Sequence, residues 1–160
     1  LKRNSKESSE PMSYPVFSDE YFMNEALKQA EKAFKGEEIP VGAIVVNQNR
    51  IIARAYNMTQ QLHDVTAHAE MIALTSASNY LGSKYLNECT LYVTLEPCLM
   101  CAAAMKWAQL DRIVYAASDP KEGFSLLGKK VLHKKTDVVP GILSDQASAL
   151  LTRFFMSRRS

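Results

Sequence analysis

Four side chains in two short stretches carry the chemistry that this sequence offers: His68 and Glu70, then Cys98 and Cys101 in a Cys-x-x-Cys spacing. Zinc takes imidazole nitrogen and thiolate sulfur, and a catalytic site keeps three protein ligands with the fourth place open for water. His68, Cys98 and Cys101 supply such a set. Positions i and i+3 lie about one helical turn apart, so both sulfurs can reach one ion from the start of a helix. Free backbone N–H groups and the helix dipole favour thiolate over thiol there. Glu70 stands two positions after His68, which on a regular helix points the two side chains apart. It fits a proton-moving base beside the metal better than a ligand. Two blander readings compete. A structural zinc site normally needs a fourth protein ligand, and Cys89, His63 and His133 have no spacing that would supply it. A thioredoxin-like redox pair would leave His68 and Glu70 without a role.

The apolar pattern shows the elements that must position these residues. Ser18 can cap a first helix, along which Phe22, Leu27, Ala30, Ala33 and Phe34 recur at helical spacing until Gly36 ends it. Residues 39–46 and 51–55 are apolar, partly β-branched runs around Asn47-Gln48-Asn49-Arg50, and read as a hairpin. Helical character returns at about 66–78, with Ala69, Ile72 and Ala73 on one side, and 90–95 alternates as a strand. Pro97 suits a first helical turn, which predicts a third helix reaching Leu110. Strands follow at 112–116 and 137–139, separated by a loop rich in Gly and Lys, and Ser144 is the expected cap of a last helix through Leu150, Leu151, Phe154 and Phe155. Strands alternating with helices predict a three-layer α/β/α sandwich around a mixed five-stranded sheet. In such a sheet, neighbouring strands can bring two helix N-termini to one edge, which is how His68 could meet the cysteines.

At 160 residues, with 47% hydrophobic and 22% charged residues, the composition is that of one folded domain. Residues 1–17 lack periodicity and are expected to form a mobile tail, with Met12 a candidate internal start, ahead of a single domain over 18–160. No apolar run approaches the ~20 residues of a membrane-spanning helix. The charged start is followed by no apolar block, so the expected compartment is the cytoplasm. The formal net charge of +2 neither demands nor excludes a nucleic-acid partner.

His-x-Glu followed by Pro-Cys-x-x-Cys is the signature of zinc nucleobase deaminases. The stretches PVGAIVV, TAHAEMIAL, TLEPCLMCAAAM and RIVYAASDP, with the ending GILSDQASALLTRFF, resemble the bacterial tRNA-specific adenosine deaminases of the cytidine deaminase-like superfamily, over about 21–159. The resemblance implies one Zn2+ per chain on His68, Cys98 and Cys101, with hydrolytic deamination of the wobble adenosine in an arginine tRNA anticodon stem-loop. It implies Glu70 as the catalytic proton carrier. Asn57 would hydrogen-bond the purine, Ala69 would offer a backbone N–H, Ile39, Pro40 and Leu95 would line the base pocket, and Asp119 would lie near the RNA backbone. It also implies a homodimer through the third helix, whose Ala102, Ala103 and Ala104 permit close approach.

Other substrates and roles stay open at this point. The same zinc chemistry serves a free-base or nucleoside deaminase acting on cytosine or guanine, and a noncatalytic RNA-binding protein could keep zinc for stability. Met100, Met105 and Trp107 read as packing. Lys129, Lys130, Lys134 and Lys135, with Arg153, Arg158 and Arg159, read equally as a tRNA-steering surface and as a solvated face. The segment 123–137 is shorter and differently composed than in the familiar relatives.

Overall fold

A computed structural model describes residues 13–159. Most of the expected tail, including Met12, lies outside the described residues. The order is α1 (Asp19–Lys35), β1 (Gly42–Asn47), β2 (Arg50–Tyr56), α2 (Ala69–Leu81), β3 (Cys89–Leu95), α3 (Leu99–Ala108), β4 (Arg112–Ala117), β5 (Asp137–Val139) and α4 (Ser144–Ser157). Two short 3-10 turns, Phe124–Leu127 and Lys129–Val131, occupy the Gly- and Lys-rich loop.

The five strands form one sheet in the order β2-β1-β3-β4-β5. β1 pairs antiparallel with both β2 and β3, whereas β3, β4 and β5 run parallel. Side chains alternate across a strand, so each central strand feeds two cores. Ala43, Val45, Leu91, Val93, Ile113 and Tyr115 face α2 and α3, and Ile44, Val46, Tyr92, Val114 and Ala116 face α1 and α4. Burial on both faces explains why these strands read as near-continuous apolar runs. The mixed three-layer sandwich is as expected.

The α1 face is pinned by charge as well as by packing. Arg112 donates to both oxygens of Asp19, at 2.7 and 2.6 Å, and the Tyr92 hydroxyl donates to the same carboxylate at 2.8 Å. This ties the first turn of α1 to β3 and β4.

Several boundaries differ from the sequence reading, each for a local reason. β1 starts at Gly42 and not at Ile39, because 39–41 is folded back, with the Val41 N–H bonded to the Ile39 carbonyl at 2.8 Å. The hairpin turn is the pair Gln48 and Asn49, both with positive φ (50° and 59°), so a glutamine takes one of the two left-handed positions. α2 begins at Ala69, three residues later than expected, and runs on to Gly82, whose φ of 62° ends it. Pro97 lies outside α3; Cys98 is the N-cap, and Gln109 in the left-handed region stops the helix before Leu110. Ser144 is the first residue of α4 and caps nothing, since Leu143 at φ 57° occupies the cap position. Trp107, expected to pack, is 78% exposed, while Met105 is buried at 1%.

Candidate active site

Two helix N-termini meet on the α2/α3 side of the sheet. His68 is the N-cap of α2 and Cys98 the N-cap of α3, each with extended backbone, and neither side chain makes a capping hydrogen bond. Cys101 follows in the first turn of α3 and is fully buried. The His68 Nδ1 atom lies 3.7 Å from Cys98 Sγ and 3.5 Å from Cys101 Sγ. All three ligand atoms fall within 4.8 Å of one another, the one such group among the described residues. Zinc bonds of about 2.0–2.1 Å to nitrogen and about 2.3 Å to sulfur, set at a tetrahedral angle, separate the two atoms by about 3.6 Å. The donor set and its spacing therefore fit zinc. Cys89, His63 and His133 stand apart: Cys89 is buried against Asn47, and His133 Nδ1 accepts the Lys135 N–H.

The protons of the cluster are arranged to suit a cation. The Cys98 thiol is pulled down to about 4, first by the hydrogen bond from Cys101 and next by His68. Cys101 is pushed the other way by Cys98 and by burial, so one sulfur is a thiolate and its neighbour donates to it. His68 is raised, chiefly by its hydrogen bond with Cys98. A bound divalent cation replaces such shared protons and holds both sulfurs as thiolates.

Glu70, at the second position of α2, is 4% exposed, and burial pushes its carboxyl up from the ordinary range. It faces a cleft of about 430 Å³ together with His68 and Cys98, a size typical of small-molecule sites. Asn57, Ile39, Leu95 and Asp119 line the same cleft. Pro40 is buried beside Ile39 and does not line it, and Ala69 is wholly buried between His68 and Glu70, with its N–H at the first helical position where the helix provides no acceptor. The cleft also has walls that sequence reasoning missed: Val41, Thr59, Glu96 and Glu122. Glu38, 1% exposed, was missed as well. Its carboxylate accepts from the Gln61 N–H (2.8 Å), the Gln60 N–H (3.2 Å) and the Thr59 hydroxyl (3.4 Å), and so fixes the loop that follows Asn57. A signal existed, since each stands beside an apolar strand-like run, Glu38 two positions before Pro40 and Glu96 directly before Pro97.

Of the basic residues, Lys135 pairs with Asp111 at 3.3 Å, and Arg153 and Arg158 lie over the rings of Phe34 and Phe154. Lys129, Lys130 and Lys134 are exposed.

An open-sided His-Cys-Cys cluster with a buried glutamate in a base-sized cleft defines a zinc-dependent hydrolytic deaminase. The model of the cytidine and deoxycytidylate deaminase zinc-binding region matches residues 17–117, and the chain belongs to that family. Within it, the chain is 41% identical over 148 residues to the tRNA-specific adenosine deaminase of Aquifex aeolicus, covering 88% of this chain and 96% of that protein. A solved structure from studies of A-to-I editing by tRNA:A34 deaminases at the wobble position of transfer RNA superposes with a TM-score of 0.76 at 40% identity, covering 81% of this chain and 98% of the other. The guanine deaminase of Bacillus subtilis superposes with a TM-score of 0.61 at 37% identity, covering 63% of this chain and 65% of its own. Among the described residues, no helix is long and apolar enough to cross a membrane.

Proposed function

We propose that this chain deaminates the wobble adenosine of an arginine tRNA anticodon to inosine. One observation carries the reading: a buried glutamate beside a three-ligand metal cluster, in a chain that matches a tRNA-specific adenosine deaminase along 96% of its length.

When held by His68, Cys98 and Cys101, zinc supplies a Lewis acid that brings the pKa of water from about 15.7 to about 7. Glu70 moves the first proton of that water to adenine N1. It moves the second, released as the C6 carbonyl forms, to the departing amino group. One C6–O bond forms, one C6–N bond breaks, and ammonia leaves. Burial keeps bulk water from competing for these protons. The Asn57 amide, on the cleft wall, hydrogen-bonds the purine, and the Ala69 N–H faces its reacting edge. Ile39 and Leu95 pack against the base with Pro40 behind them, and Asp119 at the rim meets the RNA backbone. Phosphate contacts come from the exposed Lys129, Lys130 and Lys134, so affinity falls steeply with salt.

The protein works as a single domain over 18–160, in the cytoplasm, as a homodimer that covers the exposed Trp107 and Leu99 of α3. A second reading, deamination of a free base such as guanine, draws on the likeness to the Bacillus subtilis guanine deaminase. Zinc-loaded protein offered an anticodon stem-loop, guanine, cytosine and cytidine separates the two. Inosine in the stem-loop with little free-base turnover supports our proposal, and the reverse replaces it. A noncatalytic zinc protein would leave every substrate unchanged.

A further inference from the structure

Glu96 is 3% exposed and sits between Leu95, which lines the cleft, and the metal ligand Cys98. Both carboxylate oxygens are engaged by backbone. Oε1 accepts the Asp119 N–H at 3.2 Å and Oε2 accepts the Ser125 N–H at 3.0 Å. The span between them comes back over the start of α3: Gly123 bridges Cys98 in antiparallel fashion, and the Phe124 N–H bonds the Pro97 carbonyl at 2.9 Å. Gly123 has no room for a side chain, because a Cβ would overlap the Glu96 carboxylate and the Asp119 carbonyl. The Asp119 carboxylate in turn accepts from the N–H groups of Lys121 (3.0 Å) and Glu122 (3.1 Å). Residues 118–125 are thus folded around one buried carboxylate, and they carry Asp119 and Glu122 to the rim of the cleft.

We infer that Glu96 is a positioning residue for substrate: it clamps the 118–125 wall of the base cleft against the strand end that delivers Cys98. The wall lines the cleft where substrate binds and meets the metal ligands only through the backbone at Cys98. The ligand side chains themselves are set by the N-caps of α2 and α3 and the first turn of α3. A carboxylate suits the position because both of its oxygens accept, whereas an amide presents one acceptor and one donor to two N–H groups. Loosening the wall should therefore weaken substrate binding and spare the chemical step.

The inference rests on the deaminase reading above, and its test uses the full zinc-loaded chain. Glu96→Gln and Gly123→Ala disturb the clamp from its two sides, so a folding failure in one leaves the other. We expect about a tenfold loss of amide-exchange protection within 118–125 and a KM for the wobble-adenosine stem-loop about tenfold higher, with kcat within about twofold. Zinc should stay at one per chain. The double variant should be no worse than the more severe single one, since both act on one contact. An unchanged KM, or a loss taken in kcat or in zinc content, overturns the inference. If the wild type itself makes no inosine, the functional reading fails, and the exchange measurement decides on the clamp: unchanged protection overturns it.

Discussion

Gly42 opens β1 where α1 crosses the sheet, and the fold there leaves no space for a methyl group. A Cβ on Gly42 would overlap the Ala26 carbonyl oxygen and the Ala30 amide nitrogen and stand 2.8 Å from the Gln29 Cβ. The first two are helix backbone, locked by the hydrogen bonds of α1, so no side chain can swing aside. Carbon atoms in contact rest about 3.5–4.0 Å apart, so Gly42→Ala must lift α1 by on the order of 1 Å, a gap that forfeits about a quarter to a half of each contact's attraction. The face lifted carries Met23, Ala26, Ala30 and Ala33, all fully buried. Overpacking costs about 1–3 kcal/mol in general, and with rigid partners we place this case near ~3 kcal/mol. That lowers the melting temperature by roughly 6–12 °C for a chain of this size. Urea unfolding should show an earlier midpoint at unchanged slope. The zinc cluster lies on the opposite face of the sheet, so metal content should not change. Stability within about 0.5 kcal/mol of wild type would refute the reasoning.

Three further outcomes are expected. Glu70→Gln keeps the shape and the zinc but removes the proton carrier, lowering kcat by about 10²–10⁴ in single-turnover deamination; unchanged turnover would remove Glu70 from its role. Cys101→Ala takes one of three ligands from a site that has no other among the described residues, and metal analysis after dialysis should find zinc lost, whereas retention at one per chain would mean another ligand steps in. The Arg112 guanidinium holds the Asp19 carboxyl below its ordinary value of 3.8, with Tyr92 adding a hydrogen bond. A depressed carboxyl stabilises the fold fully above that value, and the gain is lost as pH falls through the lower folded value. Asp19→Asn should therefore lower stability at neutral pH, with the difference from wild type narrowing as pH falls below the ordinary carboxyl value of 3.8; a constant difference down to acid would separate the pair from the acid response.

The chemistry was the most legible part of the chain because it is local. Cys-x-x-Cys and His-x-Glu announce themselves, and the near-continuous apolar runs of the central strands announce a sheet buried on both faces. What stayed hidden depends on partners distant in sequence. The oxygens of Glu38 are satisfied by 59–61 and those of Glu96 by 119 and 125, and no window around either glutamate contains those groups. Ile39 reads as strand because it is apolar and β-branched, yet the chain folds back at 39–41 and leaves it on the cleft wall. Ser144 has the chemistry of a cap, but Leu143 takes the left-handed turn that starts α4. Trp107 stands two positions after the buried Met105, roughly half a turn round the helix, which puts it on the surface.

X-ray absorption at the zinc edge of the loaded protein tests the central claim most directly. The account predicts two sulfur neighbours at about 2.3 Å, one imidazole nitrogen at about 2.0–2.1 Å and one further light atom that exchanges with solvent. A shell closed by four protein ligands, or one lacking either sulfur, would contradict it.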